Sequence, residues 1–118
     1  MEQSYSYYDA DMYDFINLYG EDNFMNYYEQ YVQLGENHSY DAVDAFIDEF
    51  SLDDLNYFED AYSGEWESFD DFAEQYFTDV YGYLVPEEIE SYIDYEAFAN
   101  DLAFDYVTNN NYVFNRNF

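Results

Sequence analysis

Carboxylates are the chemistry this sequence has in quantity. Asp and Glu together number 29, against one basic residue, Arg116, one histidine, His38, and no cysteine. Carboxylates can act as a general acid and base pair, ligate a hard cation, or present an array of negative charge. At this density some pair always stands at catalytic separation, so a dyad selects nothing. An enzyme handling phosphates or nucleic acid also needs cations in its site. Only Arg116 and His38 are available, and His38 sits in the turn-like stretch Gly35-Glu-Asn-His-Ser39, where it reads as a solvated loop residue. No catalytic residue and no cofactor are expected. The strongest calcium pattern, Asp9-Ala-Asp-Met-Tyr-Asp14, lacks the glycine of a calcium loop, and Gly20 falls where the closing glutamate belongs. It reads as nonspecific cation condensation, and no metal site is expected.

Charge then decides which partners remain. The formal net charge is -28, so DNA and RNA are excluded, and anionic lipid surfaces repel the chain. No apolar run approaches the ~20 residues that span a bilayer, and the amino terminus has no secretory signal pattern. The expected location is the cytoplasm of a host cell. The attractive partner is a strongly basic protein surface, and the commonest such surface is one that holds nucleic acid. Duplex DNA carries one charge per ~1.7 Å, so a charge of -28 matches roughly 48 Å of duplex, or about 14 base pairs. A globule of this chain length is about 35 Å across, so its charge density reaches that of DNA. A DNA mimic follows, blocking a basic groove. From a different class, an acidic calcium- or cation-binding module remains, as does an acidic surface that only solubilises.

A chain this acidic folds only if it buries enough apolar surface. Here 49% of residues are hydrophobic and 26% aromatic, with 18 Tyr and 12 Phe. The expected fold is mainly α (α+β): small helical domains with a minor carboxy-terminal β-hairpin and an elongated acidic surface. The stretch Ala61 to Val80 shows the principle. Phe69, Phe72, Ala73, Tyr76, Phe77 and Val80 fall on one helical face, and Asp70, Asp71, Glu74, Gln75, Thr78 and Asp79 on the other.

In chain order, Met1 to Ala10 reads as a loop or edge strand, followed by a helix from about Asp11 to Tyr19 ended by Gly20. Asn23 is placed to cap a second helix that Gly35 terminates. Ser39 or Asp41 opens a helix with Val43, Phe46, Ile47 and Phe50 inward. Ser51-Leu-Asp-Asp-Leu resembles a capping box and begins a short helix ending at Ser63-Gly64. Ser68 opens a helix running to Gly82, Pro86 starts a short one toward Tyr92, and Asp94 caps the last, with Tyr95, Phe98, Ala99, Leu102 and Tyr106 inward. Asn109 to Asn111, between two β-prone runs, signal a hairpin.

Two ordered segments carry a family resemblance. Tyr62-Ser-Gly-Glu-Trp-Glu-Ser-Phe-Asp-Asp-Phe-Ala-Glu, then Tyr92-Ile-Asp-Tyr-Glu-Ala-Phe-Ala-Asn-Asp-Leu102 with the closing Tyr112-Val-Phe114, resemble the carboxy-terminal portion of the ArdA-type antirestriction proteins. The likeness runs from about Ser51, and Asn100 stands where the family's Phe-Ala-Arg-Asp-Leu has arginine. The expected organisation is an amino-terminal helical segment, residues 1–38, outside the resemblance, and an ArdA-like acidic domain, residues 39–118. The resemblance implies a DNA mimic of phages and mobile elements that occupies the DNA groove of type I restriction-modification enzymes and forms an elongated, curved homodimer. A CRISPR effector, RNA polymerase or a nucleoid protein are alternative targets of the same surface.

The acids expected to meet the partner are Asp44, Asp48, Glu49, Asp53, Asp54, Asp60, Glu65, Glu67, Asp70, Asp71, Glu74, Asp79, Glu87, Glu88 and Glu90. The resemblance implies that Tyr62, Trp66 and Phe69 lie near the subunit contact.

Overall fold

Short side chains that accept backbone N–H groups start several helices where local sequence expects them. Ser39 Oγ accepts from Ala42 N at 3.2 Å, Ser68 Oγ from Asp71 N at 3.1 Å and Asp94 Oδ1 from Ala97 N at 3.0 Å. Each satisfies a donor that the first helical turn leaves without an intrahelical partner, which typically contributes about 1 kcal/mol. A computed structural model describes residues 12–118, and their contacts group into two units divided between Phe58 and Glu59. The helices on either side of residue 38 pack on each other within the first unit. The loop or edge strand expected over Met1 to Ala10 lies outside the described residues, as do Asp9 and Asp11 of the acidic amino-terminal pattern.

In the first unit, α1 covers residues 12–19, α2 is Glu21–Asn37 and α3 is Tyr40–Glu49. A 3-10 turn, Leu52–Tyr57, follows, and Ser51 Oγ accepts from Asp53 N at its start. Phe15 is buried at the centre of an aromatic cluster, with ring centroids of Tyr19, Tyr28 and Tyr31 at 5.1, 5.4 and 5.2 Å. Val43, Phe46, Leu55 and Phe58 are also buried. Full burial of each such side chain contributes about 1.5–3 kcal/mol, the term that opposes self-repulsion of the carboxylates.

Two helix limits differ from the sequence reading. Gly20, at φ 95°, reverses the chain in a single residue, so α2 begins at Glu21. Asn23 therefore lies inside α2 and instead donates from Nδ2 to the carbonyl oxygen of Tyr19 at 2.7 Å, closing the end of α1. Gly35 does not end α2, which continues to Asn37. A Cβ at Gly35 would overlap Cδ1 of Tyr40, so this glycine makes room for an aromatic ring rather than for a positive φ.

The second unit begins with the single turn α4 (Phe58–Ala61), which straddles the cut, and continues as β1 (Tyr62–Glu65), α5 (Phe69–Tyr81), α6 (Tyr95–Leu102), β2 (Tyr106–Asn109) and β3 (Tyr112–Asn115). Two 3-10 turns, Gly82–Leu84 and Glu87–Tyr92, join α5 to α6. Pro86 precedes the second turn. The hairpin forms as expected: Asn110 and Asn111 take φ 52° and 70°, and Asn109 pairs with Tyr112. The fold is mainly helical with a small β element, and that element has a third strand. β1 pairs antiparallel with β3 to give the order β1-β3-β2. Tyr62 faces Phe114 and Glu65 faces Tyr112, so β1 carries one extra residue, a bulge that contains Gly64 at φ 99°.

Helix α5 packs on α6, where Phe77 lies 5.2 Å from Phe98. Phe72 lies 5.0 Å from Tyr106, which belongs to β2 and not, as the spacing expects, to the last helix, because α6 ends at Leu102. Phe72 and Ala73 are buried as the spacing expects, whereas Val80, near the helix end, is 40% exposed.

Candidate acidic interface

No charged side chain is buried among the described residues. Each carboxylate reaches solvent at least in part, because a lone ion taken from water without a partner costs several kcal/mol or more. Of the acids expected to meet a partner, all are exposed except Asp44 and Asp54, which are half-buried.

In the first unit, Asp48 and Glu49 end α3 on its solvent side, and Asp44 stands one turn earlier. Asp44 is held. Its Oδ1 accepts the hydroxyls of Tyr19 and, at 2.8 Å, Tyr31. Partial burial and then the bond to Asp44 push the Tyr19 hydroxyl far above its ordinary range. Asp53 accepts from the Tyr27 hydroxyl at 2.7 Å, a bond that also raises the Tyr27 hydroxyl. Asp54 lies in the 3-10 turn.

In the second unit, Asp60 belongs to α4, and Glu65 and Glu67 flank Trp66. Asp70 and Asp71 occupy the first turn of α5, where the positive end of the helix dipole favours them. Asp70 and Glu74, four residues apart, share one face of α5, and Asp79 near the helix end accepts from Gln75 Nε2 at 2.8 Å. Glu87, Glu88 and Glu90 crowd the 3-10 turn after Pro86. Like charges this close repel one another.

The residues expected near a subunit contact are half-buried and already engaged within their own unit. Tyr62 packs 5.8 Å from Phe114, and burial pushes its hydroxyl above the usual range. Trp66 and Phe69 both pack on Phe72, at 5.7 and 5.6 Å. Each keeps part of its surface exposed.

Sequence reasoning passed over two features. Tyr83 and Tyr92 are 83% and 84% exposed beside the Glu87–Tyr92 turn, a position that aperiodic 3-10 segments conceal. The other feature is an open cavity of about 520 Å³ where α1, α2 and α3 meet, lined by Asp14, Asp44 and several tyrosines. No spacing rule reveals a cavity assembled from three helices. His38 is exposed at the end of α2, 5.4 Å from the Phe58 ring, and Arg116 is exposed near the carboxy terminus. Among the described residues no group of three or more His, Asp or Glu side chains is placed to hold a metal ion, and no helix is long and apolar enough to cross a membrane.

The family model described as Antirestriction protein (ArdA) matches residues 4–114. No curated protein and no solved structure matches the chain. The family match takes in most of residues 1–38, the segment that the short motifs leave outside the resemblance.

Proposed function

This chain belongs to the ArdA family of antirestriction proteins, and on that premise we propose that it is a DNA mimic that inhibits without turnover by occupying the DNA groove of a type I restriction-modification enzyme. One observation carries the reading. The described carboxylates all stay at the surface, with Arg116 as the one Lys or Arg in the whole sequence to offset them. The field is therefore negative on every acid-bearing helix and turn, as it is along a duplex.

The acids of α3, α5 and the Glu87–Tyr92 turn stand in for phosphates. Condensed counterions leave both surfaces on contact, so affinity falls steeply with salt. Binding reads a delocalised field, and replacing four to six acids on one face of α5 weakens it far more than any single exposed change. The partner is a basic DNA-binding protein of the host cytoplasm.

Titration of the purified chain into a type I enzyme cleaving its substrate plasmid tests this reading. Stoichiometric loss of cleavage is expected, and undiminished cleavage at large molar excess sinks it. We further place a homodimer contact at the outer surfaces of Tyr62, Trp66 and Phe69. Sedimentation of the Phe69→Ala chain should shift toward monomer, and an unchanged profile removes that contact.

A further inference from the structure

The cavity between α1, α2 and α3 has walls unlike the rest of the acidic surface. Tyr28, Tyr31 and Tyr40 supply aromatic walls, Leu18 an apolar rim, and Asp14 and Asp44 a carboxylate each from α1 and α3. Its volume, about 520 Å³, falls within the range of ligand pockets, roughly 300–1,000 Å³. The mimic reading uses Asp44 only as one of many charges and leaves Asp14 and the cavity unused.

Asp44 is held by hydroxyls from α1 and α2. The hydroxyls of Tyr19 and Tyr31 both donate to Oδ1, which fixes the carboxylate plane while Oδ2 keeps its capacity to accept. The donors that hold it are neutral, so its negative charge is not cancelled. Tyr31 is itself held against Phe15 and lies 5.5 Å from Tyr40, so the aromatic wall is set before any ligand arrives.

We propose that this cavity receives one arginine side chain of the DNA-binding partner, its guanidinium donating to Asp44 and Asp14 while its flat face lies against the tyrosine rings. The proposal rests on the mimic reading for the identity of the partner. Guanidinium chemistry suits the walls better than the other cations do. It is planar, weakly hydrated and forked, so it stacks on an aromatic face and donates to carboxylates at once. A calcium ion asks for six to eight oxygens, whereas Asp14, Asp44 and Asn17 are the only carboxylate or amide side chains in the lining and the other oxygens are tyrosine hydroxyls, which are poor calcium ligands. An ammonium group is compact and strongly hydrated, and gains less from the ring faces. A groove that holds DNA phosphates is rich in arginine, so the ligand is present wherever the mimic docks.

The test uses the intact chain and two variants. Asp44→Asn keeps an acceptor for both tyrosine hydroxyls but removes the charge. Leu18→Trp fills the cavity mouth and leaves the net charge at -28; Leu18 is 62% exposed, so the fold tolerates it. N-acetyl-arginine amide should give saturable NMR shifts at residues 14, 28, 31, 40 and 44 of the unaltered chain, beyond those from sodium chloride at equal ionic strength. Both variants should lose those shifts. Each should also bind the type I enzyme about tenfold more weakly, whereas Asp101→Asn, at an exposed acid of α6 outside the proposed contact, should cost less than about twofold. Shifts no larger than those from sodium chloride, or enzyme binding unchanged by Leu18→Trp, overturn the proposal. Saturation by spermidine below the concentration of arginine amide needed overturns it in favour of a polyamine site. An enzyme that the unaltered chain does not bind overturns the mimic reading alone, and the amide titration then decides the cavity's chemistry by itself.

Discussion

The indole Nε1 of Trp66 donates to the carbonyl oxygen of Ser63 at 2.8 Å, folding the ring back over the bulge in β1. The backbone N–H of Trp66 meanwhile donates to the carbonyl oxygen of Asn111 at 2.8 Å, in the hairpin turn. The Tyr62-Ser-Gly-Glu-Trp66 segment is thus a clasp between strand and turn. Gly64 sits beneath the indole at φ 99°, and a Cβ there would come within 3.0 Å of Trp66 Nε1.

Gly64→Ala should therefore destabilise the fold by at least about 1 kcal/mol, through backbone conformation and contact together. Trp66→Phe keeps a ring on Phe72 but removes the donor to Ser63, at a cost of about 1 kcal/mol for the bond. Urea denaturation of both variants measures this, and an unchanged midpoint for Gly64→Ala would dismiss the clasp.

Gly35 and Gly82 should respond with opposite sign. Alanine in a helix interior is ordinarily better than glycine by about 1 kcal/mol. At Gly35 the new methyl collides with the Tyr40 ring, so Gly35→Ala should destabilise by about 1–3 kcal/mol as overpacking does. At Gly82 the nearest atom to an added Cβ is Thr78 Cγ2 at 3.6 Å, and φ is -56°. Gly82→Ala should stabilise by about 0.4–1 kcal/mol. Thermal melts of the two variants side by side make the comparison.

Tyr19 sets an alkaline limit on the first unit. Its unfolded value is 10.0, and burial followed by the bond to Asp44 raises it in the folded state. A raised folded value means that the protonated hydroxyl stabilises the fold. That contribution is complete below about pH 10 and is lost as pH climbs toward the folded value. Between about pH 8 and pH 11 the unaltered chain should lose more stability than Tyr19→Phe, which has no proton to surrender. Equal losses in the two chains would show that Tyr19 is not the titrating group.

Salt should act in opposite directions on folding and on binding. With a net charge of -28 the folded chain repels itself, and raising ionic strength from about 0.01 to 0.15 M shortens the Debye length from about 30 to 8 Å. The melting temperature should rise over that range while affinity for a basic groove falls. Calcium at matched ionic strength should add no more than monovalent salt does. A calcium-specific rise in stability would favour the cation-binding class instead.

Local chemistry explains what could be read in advance. Ser39, Ser68 and Asp94 cap their helices because a cap needs only a side chain and the next three residues, and Asn110-Asn111 bend because asparagine tolerates positive φ. Strand β1 was not legible. Its four residues owe their conformation to β3, some fifty positions away, and their acidic, aromatic sequence fits a helix end equally well. Gly35 was misread as a helix stop because the Tyr40 ring it accommodates comes from the following helix. The exposure of the acids followed from charge alone, since none could be buried without a partner. The double tether on Asp44 was hidden, because the partners of Asp44 lie on two other helices.

The most direct test of mimicry is displacement of a fluorescent duplex of about 14 base pairs or longer, carrying the recognition site, from a type I enzyme at several duplex concentrations. If chain and DNA share one groove, the half-displacement concentration of the chain rises in proportion to duplex concentration. A half-displacement concentration that stays constant as duplex is increased places the chain elsewhere on the enzyme and contradicts mimicry.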